Sequence, residues 1–275
     1  MCTLFLLLSI GLHSFHTPHD TAHGVATAHL PGGAVETVIT THKGTKVLRT
    51  RDEGLSWQSV SGNGLQLARP DIVHWDAHAS SPRFLIGANL GVWAYDPMTG
   101  EVNELNDGLT NERPNKHACQ FSSPAKGFDG PVFMANKVGE VWRLNRDLNS
   151  WELVLETGWF SRAANDRAQV AVVPTFDASS SNENDRTVFA AFAGVLFVSR
   201  DGGDEWVRHS QFFETAIEPY DPLITSIAFA HDFSSSGNFV LATSVLNANN
   251  VSGDEGTLWN SSDFGDTFQA SFQST

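Results

Sequence analysis

Cysteine, methionine and tyrosine are scarce in this 275-residue chain, with two, three and two copies. Cys2 and Cys119 are far apart and fit no metal-ligand spacing, so the cysteines point to neither a metal site nor a disulfide framework. Positive charge is also short. Lys+Arg number 17 against 31 Asp+Glu, a net charge of −14, which argues against general nucleic-acid binding because phosphate backbones are repelled. No apolar run is long enough to span a bilayer, no amphipathic helical periodicity stands out, and no low-complexity tract appears. No phosphate-cradling or dinucleotide motif is present, so no cofactor is expected. What the chain does hold is 41% hydrophobic residues, eight Trp, nineteen Phe, and 23 Gly and 11 Pro scattered along its length. That composition suits a globular protein with a substantial core and many turns.

The chain repeats itself. "ETVITTHKGTKVLRTRDEGLSW" (36–57) and "RTVFAAFAGVLFVSRDGGDEW" (186–206) match nearly position for position. "FVLATSVLNANNVSGDEGTLWNSSDFGDTF" (239–268) is the same unit with an insertion. Two degenerate copies lie between: "RFLIGANLGVWAYDPMTGEV" (83–102) and "PVFMANKVGEVWRLNRDLNSW" (131–151), the latter keeping Asp147 and Trp151. The central glycines fall at 44, 91, 139, 194 and 256, at spacings of 47, 48, 55 and 62 residues. An apolar strand precedes each unit: "GVATAHL" (24–30), "DIVHWDA" (71–77), "HACQFSS" (117–123), "QVAVVPTF" (169–176) and "ITSIAFAH" (224–231). Four short strands in a unit of about 45 residues, repeated, predict an all-β propeller of four-stranded antiparallel blades. Residues 1–275 read as one such domain with five blades visible, of a propeller expected to have six or seven blades or to be incomplete.

Three units end on one spelling: "TRDEGLSW" (50–57), "SRDGGDEW" (199–206) and "SSDFGDTF" (261–268). In the second, Asp201 can accept hydrogen bonds from Ser199 and from following backbone N–H groups. Gly203 permits a conformation a Cβ penalises, and Trp206 packs under the turn. Asp52, Gly54 and Trp57, and Asp263, Gly265 and Phe268, take the same places. The pattern resembles the Asp-box, or BNR, repeat of sialidases, sortilin-type receptors, xyloglucanases and photosystem assembly factors. The repeat style, with "NDRTVFAA" (184–191) ahead of a glycine and a box, is similar to exported bacterial BNR-repeat proteins. The resemblance implies that the boxes are structural and lie away from the axial pocket.

The N-terminus allows two readings. "CTLFLLLSIGL" (2–12) is like the apolar core of a signal peptide, although no basic residue precedes it and no small-x-small cleavage site follows. Alternatively, "TLFLLLSIGLHSF" (3–15) overlays on "TVFAAFAGVLFVS" (187–199) as the middle hairpin of a sixth blade. Residues 1–23 are therefore a signal segment or a blade remnant.

Ligands of a propeller bind where each outer strand connects to the next inner strand. Those connections carry Asp20, Asp71, Asn115, Asp166 and Asp221 just before the inner strands. Arg69, Arg113 and Arg167 stand in three successive connections, with Lys116, His117, Arg162 and Tyr220 close by. Converging guanidiniums can grip a carboxylate or sulfate through paired hydrogen bonds. The plainer reading is that the Asx residues cap turns and each Arg pairs with a neighbouring Asp at the surface.

Enzymatic readings meet obstacles. A sialidase needs a tyrosine nucleophile with a nearby glutamate. Tyr95 sits in an outer turn, Tyr220 has only Glu214 or Glu218 at hand, and "SPRFLI" (81–86) is not the sialidase F/Y-R-I-P motif. A xyloglucanase- or cellulase-like hydrolase needs two carboxylates at a set separation, for which Asp71, Asp166 and Asp221 are candidates. Trp75, Trp159, Phe160, Phe212 and Phe213 are eligible to line its cleft. His13, His16, His19 and His23 are closely spaced, but no strand geometry gathers them on one side, and no metal is expected. Two functions stay open. One is a non-catalytic, extracellular or periplasmic recognition or scaffold module that binds glycan or peptide at the mouth. The other is an Asp-box glycoside hydrolase.

Overall fold

The computed structural model describes residues 22–41, 46–109, 118–125, 128, 130–158, 168–192, 194–209, 222–230, 232–245 and 255–273. These form five four-stranded sheets, each an antiparallel meander in sequence order. Blade 1 comprises β1 (Ala22–His29), β2 (Val35–Thr41), β3 (Lys46–Thr50) and β4 (Gln58–Val60). Blade 2 comprises β5 (Pro70–Asp76), β6 (Arg83–Ala88), β7 (Gly91–Tyr95) and β8 (Val102–Glu104). Blade 3 holds β9 (Ala118–Ser122), β10 (Val132–Asn136), β11 (Glu140–Asn145) and β12 (Ser150–Glu156). Blade 4 holds β13 (Ala168–Val172), β14 (Val188–Phe192), β15 (Val195–Ser199) and β16 (Val207–His209). Blade 5 holds β17 (Pro222–Phe229), β18 (Phe239–Val245), β19 (Glu255–Ser261) and β20 (Gln269–Gln273). The only α-helix among the described residues is one turn, Phe233–Ser236.

The inner strands pack in succession, β1 on β5, β5 on β9, β9 on β13 and β13 on β17. No comparable contact joins β17 back to β1 among the described residues. The core follows from this stacking. One apolar cluster joins blades 1 and 2, a second joins blades 2 and 3, and the largest joins blades 3, 4 and 5. Second strands of blades 3 and 4 are nearly all apolar because both faces are covered: β10, VFMAN, whose one polar residue is Asn136, and β14, VFAAF, are buried throughout. In β2 and β18 burial instead alternates, since only one face meets a neighbour.

Inner-strand backbone groups are also met by side chains. Gln120 Oε1 accepts the Val170 N–H at 3.2 Å and Ser122 Oγ accepts the Val172 N–H at 3.0 Å, binding β9 to β13 without a shared ladder. Gly24 of β1 lies so close to β5 that a Cβ would stand 2.9 Å from Val73 N, which is why this position takes no side chain.

Arginines tie blades 1, 3 and 4 to the turn of the blade that follows. Arg51 donates to Pro97 O, Arg143 to Gly202 O at 2.9 Å, and Arg200 to Phe264 O at 2.7 Å. Each acceptor follows the turn aspartate of the next blade: Asp96, Asp201 or Asp263. Arg143 and Arg200 add ion pairs to Asp204 and Asp266 at 2.7 and 3.1 Å. The carbonyl bonds are partly buried, so they are worth more than the exposed ion pairs. Arg200→Ala should therefore cost about 1–3 kcal/mol, read as a shift in urea midpoint, and Arg200→Lys should restore little because a point charge replaces the fork.

Candidate functional site

Successive strands run in opposite directions, so the sheets present two ends. One end carries the connections into the inner strands together with the second-to-third strand turns. The other carries the box turns.

The three boxes share one closing pattern, with a hydroxyl of Ser56 or Thr267 replacing one backbone donor in two of them. Ser199 Oγ donates to Asp201 Oδ1 at 2.8 Å and accepts the Gly203 N–H at 2.8 Å, while Asp201 takes the N–H groups of Asp204 and Glu205. Thr50, Asp52, Gly54 and Ser56 repeat this arrangement, as do Ser261, Asp263, Gly265 and Thr267. Trp206 Nε1 donates to Gly203 O at 3.0 Å, and Phe268 is buried beneath its turn. The Ser56 and Thr50 hydroxyls hold the Asp52 carboxyl down at about 2. At Asp201 burial works upward, but the Glu205 N–H and the Ser199 hydroxyl prevail and the carboxyl stays low. These aspartates are spent on their own turns and have no protons to exchange near neutral pH. The degenerate copies do the same with other residues: Asp96 accepts the Met98 and Thr99 N–H groups, and Asn145 accepts those of Asp147 and Leu148. In blade 3 the capping acceptor is thus Asn145 rather than Asp147.

Most mouth residues singled out from the sequence lie outside the described residues. These are Asp20, Asn115, Asp166, Asp221, Arg113, Lys116, His117, Arg162, Arg167 and Tyr220, along with His13, His16, His19, Trp159, Phe160, Phe212 and Phe213. Arg69 and Asp71 are described, together with His23. Asp71 Oδ1 lies 3.4 Å from His23 Nδ1, bringing β5 and β1 together at the axis. The Asp71 carbonyl accepts from Thr40 Oγ1 at 3.2 Å. Arg69 is fixed through its backbone, its N–H donating to Asn89 Oδ1 at 2.6 Å and its carbonyl accepting the Asn89 N–H at 3.2 Å. Arg69 is exposed and makes no ion pair among the described residues. Trp75 is not a cleft aromatic. Its ring sits 4.7 Å from that of Phe84, against the core of blades 1 and 2. Tyr95 is no outer-turn residue either. It ends β7, buried, and donates to Glu36 Oε1 at 2.8 Å, with burial pushing its phenol up to about 12.

Sequence reading did not single out the polar groups buried between blades. Asp76 is fully buried, meeting Arg146 at 2.8 Å and Arg83 at 3.8 Å, and burial pulls the Arg83 guanidinium below its ordinary range. Above them opens a cleft of about 350 Å³ at the box end, lined by Ser81, Arg83, Asp96, Glu101, Asn103 and Asn149 among others. Glu140 is a further buried carboxylate, accepting from Asn136 Nδ2 at 2.7 Å and Trp142 Nε1 at 3.0 Å. Each joins residues remote in sequence or hidden inside an apolar strand, so only the strand spacing could have flagged them.

His74 Nε2 lies 2.9 Å from Ser123 Oγ, across the junction of blades 2 and 3. Burial holds its imidazole down at about 4, with Asp76 opposing and Arg146 adding to the effect. Unfolding restores the ordinary value of 6.5, so the unfolded chain binds the proton first as pH falls from 6.5 toward 4, and stability declines across that window. His74→Gln should flatten this decline. Comparing urea midpoints at pH 7 and pH 5 for both proteins tests it, and parallel declines would refute it.

No family model matches the chain, and no curated protein matches it. Among solved structures it is similar to an ancestral GH74 enzyme, with a TM-score of 0.62, 17% identity, and 92% of this chain covering 32% of that one. It is also similar to the extracellular domain of a one-component system protein from B. thetaiotaomicron, with a TM-score of 0.51, 13% identity, and 91% of this chain covering 33%. The chain thus spans about a third of the length of each. What it shares with both is the β-propeller fold.

Proposed function

We propose that the chain is a non-catalytic recognition module of Asp-box type, acting outside the cytoplasm, whose axial mouth binds a glycan or peptide through a carboxylate or sulfate group. The supporting observation is the contrast at the mouth of blade 2. Arg69 is exposed on a backbone held by Asn89 and makes no ion pair among the described residues, whereas the Asp71 carboxylate is engaged with His23. A presented guanidinium suits anion recognition, and a carboxylate tied to an imidazole is poorly placed as a nucleophile or acid. Likeness to an extracellular domain agrees with a location outside the cytoplasm. Likeness to a GH74 enzyme keeps glycans in view as ligands and hydrolysis as the second reading.

A glycan array run beside a reducing-sugar assay tests the proposal. The expected result is capture of acidic glycans without sugar release, with Arg69→Ala weakening capture by roughly tenfold. Sugar release that Asp71→Asn abolishes would replace recognition with hydrolysis.

A further inference from the structure

Among the described residues, two sheet faces are left without a neighbouring blade. On blade 5, Val240, Leu258 and Phe272 share one side and are 37%, 40% and 60% exposed. The register gives their blade 4 counterparts. Val240 opposes the residue before Ser261 as Phe189 opposes the residue before Ser199, and Leu258 pairs Ala242 as Leu196 pairs Ala191. Phe189 and Leu196 are wholly buried because blade 5 covers them. Blade 5 therefore repeats a blade-to-blade surface that no blade of the described residues covers. On blade 1, Val25 is 67% exposed, on the side it shares with Thr27, Thr37 and Ile39, while the opposite side is buried against blade 2.

The box glycines show what is missing. A Cβ on Gly203 would stand 2.9 Å from the Phe133 ring of the preceding blade, and one on Gly265 would stand 2.9 Å from the Phe189 ring. A phenylalanine of one blade thus rests on the box glycine of the next. Over Gly54 the described residues place only its own Trp57, at 3.8 Å.

We infer that residues 3–15 fill the gap between the bare faces of blades 5 and 1, with Phe5 resting on Gly54. Overlaid without gaps on 187–199, "TLFLLLSIGLHSF" puts Phe5 in the place of Phe189. Leu4, Phe5, Leu6, Leu7 and Leu8 are apolar at every position, like β14 and the first four residues of β10, which are covered on both sides. In this overlay Phe15 falls at the box end and Ala22 at the mouth end. The six residues between them, which reach roughly 20 Å, must run back along a strand of roughly 15 Å while stepping to a sheet about 10 Å away, a path they just span. Attachment to the same chain also gives the segment a high effective concentration at the gap.

Double-mutant cycles in the full-length chain test this. Gly54→Ala should lower Tm as much as Gly203→Ala does. Phe5→Leu should relieve that loss, as Phe189→Leu relieves Gly265→Ala. Additive effects of Phe5→Leu and Gly54→Ala would overturn the inference. Leu258→Asp should lower Tm by several degrees in a monomeric chain, while Leu148→Asp at an exposed turn should not. A neutral Leu258→Asp would also overturn it. So would an intact mass showing that the exported protein starts beyond Phe15, or a concentration-dependent dimer that Leu258→Asp dissolves.

Discussion

Asp76→Ala will destabilise the chain by about 3–5 kcal/mol in urea denaturation, the cost of stranding buried charge. The carboxylate is wholly buried, and both guanidiniums facing it, Arg146 and Arg83, are largely covered. Arg146 also donates to Gly130 O, so it cannot swing away without losing a second bond. Arg83 Nε is buried with no hydrogen-bond partner among the described residues. Removing the one anion leaves two cations confined between blades 2 and 3. Asp76→Asn keeps an acceptor and should fall between the two proteins. A loss below about 1 kcal/mol for the alanine variant would show that water reaches the arginines, placing the cluster among surface pairs.

Gly203→Ala and Gly265→Ala come next, each costing about 2–4 kcal/mol. The backbone angles, φ of 99° and 95°, lie where a side chain adds about 1–2 kcal/mol. The new methyl group must also displace the Phe133 or Phe189 ring, an overpacking cost of about 1–3 kcal/mol. Neither ring yields easily, since Phe189 is itself packed against Phe233 and Phe239 at 6.3 and 4.8 Å. Thermal midpoints should fall by roughly 5–15 °C. A drop of only a degree or two would mean that the ring shifts freely and the turn glycine serves backbone geometry alone.

The fold was legible because its signals are local. Each unit has a glycine near its central hairpin and apolar runs of strand length, and the box hydrogen bonds join residues at most four apart. The all-β expectation and the five blades hold. Strand ends were less legible. "QVAVVPTF" was expected through Phe176, but β13 stops at Val172. Val173 and Phe176 are buried as anchors of a loop, and an apolar run reads alike in both settings. The site was mostly illegible for the opposite reason, that its contacts are distant. Arg69 and Asp71 lie two apart and invite a surface pair, yet Asp71 meets His23, 48 residues away. The forward reach of Arg51, Arg143 and Arg200 depends on the stacking of whole sheets, which no single unit encodes.

The side-chain bonds between β9 and β13 bear on how copies of the protein behave when crowded. By occupying amide groups at the axis, Gln120 and Ser122 deny a foreign strand its template there. At the periphery, β4, β8 and β16 are three residues long, too short to recruit a partner strand. That leaves β12 and β20, with seven and five residues, as the places where fibrillar growth would begin. Of these, β12 is guarded by Glu152 and Glu156, so blade 5 is the side on which aggregation is to be watched.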